Sequence, residues 1–81
     1  MRGNNMVNPQ GLDLLQWADT IFVDFPTNDV PILVDPTDWK TWGNDLVACT
    51  TFELNNAPGT DDYTDWYGWA QEVYYSMANY A

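Results

Sequence analysis

One helical pattern is written twice in this chain, and it restricts the fold more than any other feature. Residues 35–47 read Asp35-Pro36-Thr37-Asp38-Trp39-Lys40-Thr41-Trp42-Gly43-Asn44-Asp45-Leu46-Val47. Residues 62–74 read Asp62-Tyr63-Thr64-Asp65-Trp66-Tyr67-Gly68-Trp69-Ala70-Gln71-Glu72-Val73-Tyr74. Both follow D-x-T-D-W-x-x-W-small-amide-acid-aliphatic, 27 positions apart (Asp35 to Asp62). A fainter copy with an irregular start, Asp13-Leu14-Leu15-Gln16-Trp17-Ala18-Asp19-Thr20-Ile21, keeps the aspartate, the second Trp, the small residue and the aliphatic one.

Each copy reads as a helix. Asp35 and Asp62 are candidate N-caps, because a carboxylate accepts hydrogen bonds from backbone N–H groups that have no partner in the helix. Pro36 falls at the first helical position, where its missing N–H costs nothing. Asp38 and Asp65 sit where a carboxylate reaches back toward the cap and favours the positive end of the helix. Apolar residues recur at helical spacing: Trp66, Trp69, Ala70, Val73, Tyr74 and Met77; Trp39, Trp42, Gly43, Leu46 and Val47; Leu14, Trp17, Ala18, Ile21, Phe22 and Phe25. A small residue (Ala18, Gly43, Ala70) beside each second Trp lets a neighbouring element approach. The five Trp residues, 17, 39, 42, 66 and 69, are therefore first of all packing residues.

The expected architecture is mainly α: a small three-helix cluster with helices near 12–25, 36–49 and 63–79. Residues 1–8 form an N-terminal arm and 9–81 a single domain. The connectors are extended by proline at Pro26 and Pro31 and turned at Asn55-Asn56-Ala57-Pro58-Gly59. The Ile32-Leu33-Val34 run and the β-leaning stretch Thr50–Leu54 leave room for one short β pairing.

At 81 residues the chain buries only roughly 60% of the surface its unfolded form exposes, so its core is small. A lone cysteine, Cys49, permits no intrachain disulfide. Histidine, the commonest general base and a common zinc ligand, is absent from the sequence. No apolar run approaches a membrane span, and residues 1–8 do not read as a signal peptide. Twelve acids against Arg2 and Lys40 give a formal net charge of -10, which repels nucleic acid and anionic membrane. We therefore expect no direct nucleic-acid or membrane partner.

Paired carboxylates at Asp35/Asp38 and Asp61/Asp62/Asp65 are accounted for by helix starts. A catalytic pair needs a pocket that so small a domain has little room for. Calcium at Asp61, Asp62 and Asp65 lacks the alternating spacing and terminal Glu of an EF-hand. The expectation is a non-enzyme with no catalytic, cofactor or metal residues. A charge mimic of DNA is the alternative, directed at a nucleic-acid-binding host protein. Ten of the twelve acids are Asp, however, and six of them (13, 35, 38, 61, 62 and 65) lie at or before helix starts rather than along helix faces.

Aromatic residues outside the packing stripe suggest a contact surface. At about 100° per residue, Tyr75 lies opposite Trp66, Tyr67 lies on its shoulder, and Tyr80 returns near the stripe at the terminus. These three, with Ile32 and Val34, are the candidate partner-binding residues.

The copies Asp38-Trp39-Lys40-Thr41-Trp42-Gly43 and Asp65-Trp66-Tyr67-Gly68-Trp69-Ala70 resemble a D-W-x-x-W-[AG] helix of small tailed-bacteriophage proteins and of phage tail and fibre-associated N-terminal segments. The resemblance covers about half of the chain. It implies a virion structural role: an adaptor, cement or tail-attached piece held in many copies by larger capsid, portal or tail proteins. It also implies residence in the virion, and in the host cytoplasm before assembly. Two tandem copies with no fibre domain following depart from the fibre pattern and leave capsid against tail open.

Overall fold

All three copies of the pattern start an α-helix at the same residue, the one after the aspartate. The computed structural model describes residues 6–24 and 30–77. Helix α1 spans Leu14–Asp24, α2 Trp39–Val47, α3 Thr50–Leu54 and α4 Trp66–Met77, with a 3-10 turn at Pro36–Asp38 leading into α2. The fold is mainly helical, and among the described residues there is no strand.

The helix starts differ in chemistry. At α1 the Asp13 carboxylate accepts from the Gln16 backbone N–H at 2.8 Å, and the Gln16 side chain accepts from the Asp13 N–H at 3.0 Å. This reciprocal capping box satisfies two donors at once. At the second copy, Asp35 accepts from the Thr37 N–H at 3.0 Å and the Thr37 hydroxyl at 2.8 Å, with Pro36 following. Asp38 does not reach back to the cap as expected; it accepts forward from the Thr41 hydroxyl at 2.9 Å. The third copy corrects the expected cap. Asp62 lies in the turn before α4, and it is the Asp65 carbonyl that accepts the helix's first hydrogen bond, from Trp69 N–H at 3.4 Å.

Thr50–Leu54, expected to lean to β structure, is helical. Cys49, which follows the Ala48 C-cap of α2, is extended, and its carbonyl accepts from the Glu53 N–H at 2.9 Å to begin a new short helix. Phe52 is fully buried and anchors that turn. Asn56 then stops it at φ 59, a left-handed conformation that Asn tolerates better than most residues. The local preference of Thr and Phe for a strand loses to the burial of one ring.

The core is a triangle of indoles. Trp17, Trp42 and Trp69, one from each copy, have ring centroids 6.2, 5.8 and 5.8 Å apart, with interplanar angles of 79°, 82° and 90°. Every pair is edge-to-face, the arrangement favoured by the aromatic quadrupole. Burying an indole strands its N–H unless an acceptor is supplied, and here each copy supplies one in the same way. The Trp17 N–H donates to the Val7 carbonyl at 2.8 Å, Trp42 to Pro31 at 3.1 Å and Trp69 to Pro58 at 2.7 Å. The acceptors lie 10, 11 and 11 residues upstream. Each repeat is thus a connector that ends in a helix whose Trp folds back to bind that connector. Ile21, Leu46 and Val73 complete the buried layer at equivalent positions.

Two sequence expectations change with this arrangement. The arm assigned to residues 1–8 is packed at its end: Met6 is buried, Val7 receives the Trp17 N–H, and Pro9 beyond it is fully buried. Residues 1–5 lie outside the described residues. Phe22, placed on the α1 core stripe, is 46% exposed. Phe25 lies outside the described residues.

Candidate functional site: an apolar groove between helix α1 and the second connector

The copies interlock in sequence order, and one junction is built differently from the others. Trp39, the first helical residue of the second copy, packs on Trp69 of the third at 5.7 Å. Trp66 of the third packs on Trp17 of the first at 6.2 Å. The amides follow the same direction. Asn44 of the second copy accepts from the Thr60 N–H at 3.0 Å and the Thr60 hydroxyl at 3.1 Å, fixing the third connector on α2. Gln71 of the third copy donates to Asn8 in the first connector at 3.5 Å. At the junction from the first copy to the second, Leu14 stands in place of the first Trp and Asp19 in place of the amide. The Asp19 carboxylate has no side-chain hydrogen bond among the described residues.

An open cleft lies at that junction, lined by Leu15, Ala18, Asp19 and Phe22 of α1 and by Ile32 and Leu33 of the connector. Leu15, Asp19 and Phe22 fall at i, i+4 and i+7, so α1 carries a second face besides its core face. A helix apolar on two sides has one side to spare for another surface. Ile32 is 67% and Val34 84% exposed, while Leu33 between them is half-buried against the core. A second cleft flanks the same connector on its other side, where Val34, Asp35, Asp38, Asp45 and the edge of Trp42 line it. The Ile32-Leu33-Val34 strip thus runs between one carboxylate and three. Hydrogen bonds from Thr37, first from its hydroxyl and then from its backbone N–H, hold the Asp35 pKa below the ordinary aspartate value.

At about 180 Å³ the α1 cleft falls below the roughly 300–1,000 Å³ usual for small-molecule pockets. It suits one or two side chains of a docking protein. No three His, Cys, Asp or Glu side chains among the described residues stand together in a way that could hold a metal ion. Among the described residues no helix is long and apolar enough to cross a membrane.

The candidate contact residues do not form one site. Ile32 lines both clefts, and Val34 lines the acidic one alone. Tyr75 is 59% exposed on α4, its ring 5.8 Å from that of Tyr74, and it lines neither cleft. Tyr67 is half-buried: its ring meets Trp66 edge-on at 5.6 Å and its hydroxyl accepts from Gln71 at 2.9 Å. Tyr80 lies outside the described residues. The residues that sequence reasoning missed are Leu15 and Phe22, and their i, i+7 spacing around Asp19 was the available signal. Trp17, Trp42 and Trp69 are buried; Trp39 and Trp66 are half-buried, with the Lys40 ammonium 5.8 Å from the Trp39 ring.

Comparison with protein-family models, curated proteins and solved structures found no match.

Proposed function

We propose that this chain is a non-enzymatic structural adaptor that docks on a larger protein through the α1–connector groove. The observation that carries the reading is that Leu15, Phe22 and Ile32, all exposed, line one cleft. Adjoining exposed apolar side chains are the usual mark of a protein contact surface. The resemblance of the D-W-x-x-W helices to those of small phage proteins supports a finer version, in which the larger protein is a capsid, portal or tail protein and the chain is used in many copies in the virion. Against mimicry of DNA, the carboxylates of Asp13, Asp35 and Asp38 are engaged in local hydrogen bonds that start helices. They are not an open row of charges.

The test is capture from phage-infected lysate with the tagged chain, washed at rising salt, with mass spectrometry of what remains. The reading expects capsid, portal or tail proteins, retained at high salt and lost on Phe22→Ser. Recovery only of nucleases, polymerases or nucleoid proteins, released as salt rises, would move the function to charge mimicry.

A further inference from the structure

We propose that the groove takes a basic, apolar segment of its partner: one or two large aliphatic or aromatic side chains set into the cleft, with Lys or Arg beside them. This rests on the docking role proposed above and adds the chemistry of the partner. Three observations carry it. The cleft floor and walls are apolar, and its one charged residue is Asp19, which has no side-chain partner among the described residues. Across the Ile32–Val34 strip, Asp35, Asp38 and Asp45 line the neighbouring cleft, so a segment lying along the strip meets carboxylates on both sides. The lining of the two clefts contains no cation; the chain has only Arg2 and Lys40, against twelve acids. An acidic segment would add repulsion and a neutral polar one would leave the Asp19 carboxylate unmatched, whereas a basic one gains attraction and faster encounter.

Elsewhere in the fold the matching position on a helix is filled by the chain's own connector; at α1 the equivalent connector residue is Leu33, which leaves the outer part of the cleft open. At the equivalent junction of the next two copies, the third connector lies on α2 with the Thr60 methyl over Gly43 and its N–H and hydroxyl on the Asn44 side chain. Ala18 and Asp19 stand at the equivalents of Gly43 and Asn44. A carboxylate in place of the amide oxygen still accepts an N–H, and it binds a charged donor more strongly. Residues 32–34 make no backbone–backbone hydrogen bond to another described residue, and Ile32 and Val34 among them are exposed.

The experiment is fluorescence anisotropy of the full chain with three labelled short peptides: an amphipathic Leu/Lys peptide, its Leu/Gln counterpart, and a Lys/Gln peptide without leucine. The Leu/Lys peptide is expected to bind tightest. Asp19→Lys should weaken it roughly five- to tenfold at low salt, and Phe22→Ser or Ile32→Ser more than about tenfold. Asp61→Lys, a charge change that lines neither cleft, should leave affinity within about twofold. Equal binding of the Leu/Gln peptide, lost on Phe22→Ser, would overturn the basic partner while leaving the groove as the docking site. Leu/Lys binding that survives both apolar substitutions, or that falls equally with Asp61→Lys, would show diffuse charge capture and overturn the proposal. Failure of all three peptides to bind would overturn it as well. The docking role would then stand or fall on whether Phe22→Ser abolishes capture of virion proteins.

Discussion

Replacing Gly43 by alanine sets two effects of opposite sign against each other. In a helix interior alanine is favoured over glycine by about 1 kcal/mol, and the other two copies carry alanine at this position, Ala18 and Ala70. A Cβ on Gly43, however, would stand 2.6 Å from the Thr60 methyl and 2.9 and 3.0 Å from Cη2 and Cζ2 of Trp69. Neither neighbour can withdraw easily. The Trp69 indole is pinned to the Pro58 carbonyl and wedged between Trp17 and Trp42, and Thr60 is held by Asn44. Overpacking of a tight core costs about 1–3 kcal/mol, and contacts this short against a fixed ring put the cost toward the upper end. We expect a net loss of about 1–2 kcal/mol, which lowers Tm by roughly 5–15 °C in a domain of this size. Gly68 supplies the control. It is exposed in α4, and a Cβ there meets only Tyr63 Cδ2 at 3.9 Å. Gly68→Ala should therefore raise stability by about 0.5–1 kcal/mol. Thermal melts followed by far-ultraviolet circular dichroism read both variants. A Gly43→Ala protein as stable as the parent would refute the close seating of Trp69 and Thr60 on α2.

Trp69→Phe removes an indole N–H, leaves the Pro58 carbonyl without its donor and opens a void beside Trp17; calorimetry should find a loss of about 2–4 kcal/mol. Asp35 is fully exposed with its pKa held below the ordinary aspartate value, so its stabilising effect is complete above the unfolded-state pKa and lost as pH falls through the folded one. The parent should accordingly lose stability on acidification below about pH 4 more steeply than Asp35→Asn, as read from melts across that range. Tyr75→Ala, at an exposed position that lines neither cleft, should change stability by no more than about 0.5 kcal/mol and leave capture of the partner unchanged; a large fall in Tm would make Tyr75 a packing residue.

The repeat, the helix register and the division into small, Trp and aliphatic positions were legible in the sequence because each is a local pattern with a local cause. The acceptors for the buried indoles were partly legible too: a proline stands eleven residues before Trp42 and before Trp69. The first copy hides this signal, since Val7 lies ten residues before Trp17, and so Met6 and Val7 read as part of an arm rather than as packed residues. Helix α3 was not legible because Thr50, Thr51 and Phe52 favour extended structure, and only the tertiary burial of Phe52 reverses that preference. The groove was half legible. Ile32 and Val34 stand out as an apolar run, but its other wall depends on which α1 residues the triangle of indoles turns inward. A helical period alone assigned Phe22 to the core, because it lies one position from Ile21. Which junction stays open is set by how the three copies interlock, which no single copy encodes.

The most direct test of the docking surface places a photo-crosslinking amino acid at position 32, or at Glu72 as an exposed helical control outside the lining of both clefts, in the chain expressed in phage-infected cells. The account expects one dominant crosslinked capsid, portal or tail protein from position 32, absent from position 72 and lost when Phe22→Ser is added. Crosslinks from position 72 but not 32, or a position-32 product that survives Phe22→Ser, would contradict it.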